Sequence, residues 1–144
     1  MILENALLGA EYIAHKDVLP LINYMATVEL TEEEQYLFAE ATTRLASHPE
    51  FPNLRKRILT VIFTNSGSFT LTFPPNQIGS QGNYAAFNYS IWTNYDNRQK
   101  LICILEEFVH HFWDETDEIE TSKIVCEFFS DLDYNRETGN YMNL

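Results

Sequence analysis

Basic residues are scarce. The chain of 144 residues carries nine Lys and Arg against 21 Asp and Glu, a formal net charge of −12. Such a surface repels phosphate backbones, so direct nucleic-acid binding is not expected. Arg55-Lys56-Arg57 is the one local exception, and it reads as the solvated start of a strand. Cysteine is scarce too, with only Cys103 and Cys126. Both lie in apolar helical patterns and read as buried free thiols, and two cysteines cannot by themselves form a structural zinc site. No apolar run approaches the roughly 20 residues of a membrane span. The start, MILENALLGAEYIAH, has no basic n-region and carries Glu4 and Glu11, so a cytoplasmic location is expected. There is no internal repeat and no low-complexity segment. The glycines between 78 and 83 do not precede a helix, which excludes a phosphate-binding loop. No Ser or Cys has the local context of a nucleophile.

What the chain does contain is apolar. Hydrophobic residues make up 45% of it, and 20 residues are aromatic, enough for a core without disulfide or metal staples. The length suits one domain over 1–144. It divides into a helical part (1–52), a sheet with two helices (53–134) and a loose tail (135–144). Apolar positions at near-helical spacing predict a helix from Ile2 to His15. A second apolar stretch, Val18 to Val28, has Pro20 where a first helical turn accepts it. Thr31 followed by Glu34 is a capping box, and its helix should run to about Ser47, where His48-Pro49 ends it. The period then changes. Arg57 to Thr64 is β-branched and aromatic, Asn65 to Ser68 is a turn, and Phe69 to Phe73 alternates, which predicts a hairpin. Tyr84 to Thr93 is a third strand. Asp96 caps a helix from Asn97 to Trp113, and Asp117 caps a last one to about Leu132. The expected class is α+β: N-terminal helices, a small antiparallel sheet of about three strands, then two helices.

On a helical wheel, Leu101, Leu105, Phe108 and Phe112 form one face of the first of these two helices, widened by Ile102, Ile104, Val109 and Trp113. Glu106, Glu107, His110 and His111 fill the opposite arc. Glu106 and His110 are four apart and can address one point, with Glu107 beside them. That is the spacing a zinc peptidase needs: ligands at i and i+4 and a carboxylate at i+1 to take a proton from metal-bound water. It is also the ordinary polar face of an amphipathic helix, on which His111 reads as a flanking polar residue.

The segment LEEFVHHFWD resembles the active helix of zincin metallopeptidases, H-E-x-x-H in an apolar frame, with Glu106 at the first His position. DEIETSKIVCEFF resembles the glutamate-bearing helix that follows it in small gluzincin-type peptidases. The resemblance covers about residues 57 to 132. It implies Glu106, His110 and Glu120 as metal ligands, with Glu127 in reserve for Glu120, and Glu107 as general base. Glu120 has a second reading, as the N3 carboxylate of a capping box with Asp117. The strand Asn83 to Trp92 would pair with an extended substrate in that family, and otherwise reads as a core strand. A Glu–His–Glu set can hold zinc, although two carboxylates acidify its water less and shift preference towards manganese or iron. The remaining outcome is a scaffold without metal. The leading expectation is therefore a zincin-like domain with a degenerate motif that binds a protein or peptide through its acidic surface, centred on Asp114, Glu115 and Asp117. The alternative is a small metal-dependent peptidase using Glu107. A more remote one is an acidic mimic of nucleic acid.

Overall fold

Thr31 begins the best-specified helix in the chain. Its hydroxyl accepts from the Glu34 N–H at 3.1 Å, and Glu34 returns the bond to the Thr31 N–H at 3.0 Å. Helix α1 runs Glu32–Ser47 and stops where Pro49 follows the cap His48. The structure, a computed structural model, describes residues 4–5, 14–65 and 82–144. Around α1 the order is β1 (Glu4–Asn5), β2 (Ile22–Ala26), α1, β3 (Leu59–Thr64), β4 (Asn83–Asn88), α2 (Tyr89–Trp92), α3 (Asn97–Phe112), α4 (Glu118–Cys126), β5 (Leu132–Tyr134) and β6 (Tyr141–Asn143).

The mixture of helix and strand is as expected, but the sheet is not antiparallel. Its order is β1-β2-β3-β4; β1 pairs antiparallel with β2, whereas β2, β3 and β4 are parallel. Helix α1 is the crossover between β2 and β3, which parallel neighbours require. The expected hairpin is corrected on the side of its first strand. Over Leu59–Thr64, β3 is paired on both edges, by β2 and β4. Its expected partner, 69–73, lies outside the described residues. The only antiparallel hairpin among them joins β5, at the expected end of the last helix, to β6, in the stretch expected to be a loose tail.

Other corrections have plain physical causes. Most of the expected helix over 2–15 lies outside the described residues, and its part at Glu4–Asn5 is strand. Val18 to Val28 does not continue as a helix. A single 3-10 turn at Leu19–Leu21, with Pro20 in it, hands over to β2. There Ile22, Tyr24 and Ala26 are buried and Asn23 is exposed, a period of two. The third strand stops at Asn88, where α2 begins, and α4 ends at Cys126 rather than near Leu132.

The core lies between the sheet and the packed pair α1 and α3. Leu37, Phe38, Ala41 and Leu45 face it from α1; Leu101, Ile104, Leu105, Phe108 and Phe112 face it from α3. Phe63 sits at the centre, stacked on Phe87 at 4.9 Å and edge-on to Phe38 and Trp92. Glu34 is a carboxylate buried beside this core, 2% exposed. Its carboxylate accepts from Tyr89, Thr93 and Lys100, and so fastens α2 and α3 to α1.

The β5–β6 turn is closed by Gly139, at φ 78°, whose N–H donates to the Asn135 carbonyl. Its own carbonyl accepts from Ser122 of α4 at 2.7 Å. A Cβ here would stand 3.3 Å from the Ser122 hydroxyl, in a backbone region that L-residues avoid. Gly139→Ala should therefore cost about 1–2 kcal/mol of stability, read by urea unfolding.

Candidate functional site

The polar arc of α3 survives folding only in part. Asp96 caps the helix with a full capping box through Gln99, which fixes its register. Glu106, Glu107 and His110 stay on the accessible side, half-buried. His111 does not: it is buried, and its Nε2 donates to the Arg57 carbonyl at 2.8 Å. Arg57 returns a bond to the His111 carbonyl at 3.1 Å. His111 is thus a structural clasp between α3 and the approach to β3, and burial lowers its basicity. The flanking-residue reading is corrected.

Helix α3 is C-capped by Trp113, and Asp114 turns the chain with φ 54°, a left-handed conformation that Asp tolerates. The Asp117 carboxylate then caps α4 by accepting from the Glu120 N–H at 2.8 Å. This turn lays the start of α4 against His110. The His110 Nδ1 is 2.6 Å from the Glu115 carbonyl, which can only accept, so Nδ1 carries the proton. Nε2 then faces Glu118, whose carboxylate is 3.7 Å away.

Glu118 is the residue that sequence reasoning missed, and Glu120 is the one it chose instead. Glu120 is exposed on the other side of α4, with its carboxylate 3.9 Å from Lys123. A signal for this existed. Glu118, Thr121, Ser122 and Val125 form an i, i+3, i+4, i+7 series, and the last three are buried. Glu127, the reserve candidate, is also elsewhere, bonded to His48 Nε2 at 2.7 Å. Glu106, His110 and Glu120 therefore do not converge. Among the described residues no three His, Cys, Asp or Glu side chains are grouped to hold an ion. The donor set as placed does not fit a three-ligand metal centre.

The electrostatics are those of crowded carboxylates. Burial pushes Glu106 above the ordinary carboxylate range, with repulsion from Glu118 adding to it and the Tyr141 hydroxyl and His110 opposing it. Burial also raises Glu107; His110 offsets this, while Glu106 and Glu118 add to it. The Cys103 thiol is pushed up to about 11, by burial first and then by the charges of Glu106 and Glu107. Tyr141 of β6 is raised by burial and by the neighbouring Glu106, although its hydroxyl meets no hydrogen-bond partner in good geometry. Neither Glu106 nor Glu107 forms an ion pair among the described residues.

Two clefts meet at Glu107. One, of about 210 Å³, is lined by Arg57, Tyr84, His110, His111 and Asp114. The other, of about 220 Å³, is lined by Phe87, Ile91, Trp92, Tyr95, Cys103 and Glu106. A larger cleft of about 390 Å³ lies at the far end of α3, beside Arg44, Arg98 and Phe129. Its guanidiniums are already held, Arg44 by Glu40 and the Phe128 carbonyl, Arg98 by Asp131. The residues expected to meet a partner have local duties as well. Asp114 lies 3.7 Å from Arg57, the Glu115 carboxylate accepts from the Asp117 N–H, and Asp117 is the cap of α4.

Compared with protein-family models, curated proteins and solved structures, the chain matches none. No helix among the described residues is long and apolar enough to cross a membrane.

Proposed function

We propose that this domain is an acidic protein-binding module, docking a positively charged partner where α3 ends and α4 begins. The observation that supports it is the pair Glu106 and Glu107, half-buried, adjacent and, among the described residues, in no salt bridge with a Lys or Arg. Carboxylates in that state are held at a cost that an incoming positive charge relieves. Asp114, Glu115 and Glu118 extend the same sign over the neighbouring surface and steer such a partner in. On this reading α3 is a zincin-type helix that has exchanged its first histidine for Glu106 and works by binding.

The test leaves the Asp117 cap intact. Tagged wild-type protein and the variant Asp114→Lys/Glu115→Lys/Glu118→Lys are used to capture partners from cells of the source organism. Retention of a basic partner should fall at least tenfold in the variant, and wild-type retention should fall steeply between low and 0.5 M salt. A partner held equally by both proteins would sink the proposal.

Metal-dependent peptide hydrolysis with Glu107 as base is the second reading. One observation favours it: the Glu115 carbonyl fixes the His110 tautomer so that Nε2 is the free nitrogen, as histidine ligands are commonly held. Metal analysis of protein purified without chelators decides between the two. Stoichiometric zinc, manganese or iron, with peptide hydrolysis lost in Glu107→Gln, would replace the first reading by the second.

A further inference from the structure

A protein kinase that reads carboxylates downstream of its target needs a hydroxyl that is exposed, unbonded and outside helix or strand, so that the chain can be drawn into its cleft. Four hydroxyl residues of the chain have a carboxylate three positions on: Thr31, Ser47, Thr93 and Ser130. The fold commits three of them. Thr31 caps α1 by accepting from the Glu34 N–H. Ser47 donates to the Thr43 carbonyl within the last turn of α1, and Thr93 donates to the Glu34 carboxylate. Ser130 is left. It is exposed in the bend between α4 and β5, and its hydroxyl has no hydrogen-bond partner among the described residues. Asp131 and Asp133 follow it.

A second observation concerns the surroundings of that hydroxyl. Ser130 lines the cleft of about 390 Å³ at the far end of α3, together with Arg44 and Arg98. In a chain with nine basic residues against 21 acidic ones, these two guanidiniums lie over one ring, 4.5 and 5.2 Å from the centre of Phe129. Each grips a backbone carbonyl beside Ser130: Arg44 donates to that of Phe128 at 2.6 Å, and Arg98 to that of Asp131 at 3.1 Å. Their carboxylate partners are replaceable. Glu40 on Arg44 and Asp131 on Arg98 are 46% and 61% exposed, and ion pairs so open to water are weakly held. The bonds made do not use every N–H of either guanidinium. The local field is positive, since Arg98 by its bonds and Arg44 by its charge help to hold the Asp131 carboxyl below the ordinary range.

We propose that Ser130 is a phosphorylation site and that Arg44 and Arg98 receive its phosphate. In the transfer, the Ser130 oxygen attacks the γ-phosphorus of a magnesium-bound nucleoside triphosphate. The new O–P bond forms as the bond to the bridging β-phosphate oxygen breaks; the diphosphate leaves, and the kinase's base takes the hydroxyl proton. The product carries more charge than a carboxylate and three acceptor oxygens, so it takes the guanidiniums from Glu40 and Asp131. The result is a staple that ties the turn over 127–131 to α1 and α3. The inference goes beyond the protein-binding reading and does not rest on it.

The experiment treats the full chain with magnesium ATP and an acidophilic serine/threonine kinase. Mass spectrometry should find one phosphoryl group, at Ser130, and none in Ser130→Ala. By phosphorus NMR, the phosphate should hold its second proton about tenfold less tightly than in the free phosphorylated peptide spanning residues 127–133, because the guanidiniums favour the dianion. The thermal midpoint should rise above that of the unmodified protein. Arg44→Gln/Arg98→Gln should still be phosphorylated, titrate as the peptide does, and gain nothing over its own unmodified form. That reference removes any stability the substitutions themselves cost. No incorporation, or incorporation at another hydroxyl of the folded chain, overturns the proposal. So does a phosphate on the wild-type chain that titrates as the peptide does. An equal rise in midpoint when inorganic phosphate is added to unmodified protein also overturns it, and marks the cleft as a site for free anions.

Discussion

Glu34→Ala should lower stability by about 3–5 kcal/mol, because it strands the Lys100 ammonium in the core. Both partners are buried, and the same carboxylate also receives Tyr89, Thr93 and the Thr31 N–H. One substitution therefore unties α2, α3 and the start of α1 together. A domain of this size has about 5–15 kcal/mol in all, so the variant should be folded but fragile, with Tm down by roughly 10–15 °C. Lys100→Ala should cost a similar amount. Glu34→Leu/Lys100→Met should recover part of the loss, since a packed apolar pair carries no desolvation cost. If the double change is no better than Glu34→Ala, the pair contributes more than its burial costs. Acid sensitivity gives an independent check. Burial alone would raise the Glu34 carboxyl, but bonds from Thr31, Tyr89, Thr93 and Lys100 outweigh it and hold it below the ordinary range. A depressed folded value means the stabilisation is present above the unfolded pKa, about 4.5, and is lost as pH falls through the lower folded value. Wild type should lose Tm in that acid window, and Glu34→Gln should lack that part of the slope.

Replacing the crowded carboxylates should do the reverse. Glu106→Gln/Glu107→Gln is expected to stabilise the protein at pH 7 by about 1–3 kcal/mol, a typical return when a strained functional site is neutralised. Glutamine keeps the size and removes a charge that burial and mutual repulsion disfavour. Here the folded pKa values are raised, so the folded state binds more protons than the unfolded one between the ordinary and the raised values. Wild-type stability then falls as pH rises across that interval, and the variant should show no such fall. Thermal unfolding of both proteins from pH 4 to pH 8 measures it. A Gln pair less stable than wild type at pH 7 would mean that the carboxylates are compensated, and that no incoming cation is needed.

The parts of the fold that could be read from the residues are those with local signals. Thr31 and Asp96 each begin a capping box, and His48-Pro49 ends α1 where that dipeptide must. The α3 wheel gave the buried face correctly, because apolar spacing on a helix is set by its geometry. What failed depends on partners distant in sequence. Nothing in Leu59–Thr64 says whether its neighbours run parallel or antiparallel, and the nearby turn residues at 65–68 favoured a hairpin. Ile22–Ala26 alternates, but Pro20 and a flanking apolar run drew the reading towards helix. At the site, Glu107 and His110 stand near one another as expected. Glu118 replaced Glu120 because the face of α4 that meets α3 is set by Thr121, Ser122 and Val125, a pattern legible in the chain but outweighed by the family resemblance. His111 was misjudged because its partner, the Arg57 carbonyl, is 54 positions away.

The β5–β6 hairpin brings Tyr141 against Glu106, so the wall of the site comes from a segment far downstream of the helix it covers. During vectorial synthesis the unit β2–α1–β3 leaves the ribosome before α3 and carries its own pairing partners. Helix α3 follows with its two carboxylates facing water, where they cost little. Only when Gly139 turns and β6 pairs with β5 does Tyr141 close over Glu106. A nascent chain that has not yet made β6 therefore displays α3 with Glu106 still uncovered by Tyr141, and the desolvation of that carboxylate waits on a strand made some 35 residues later.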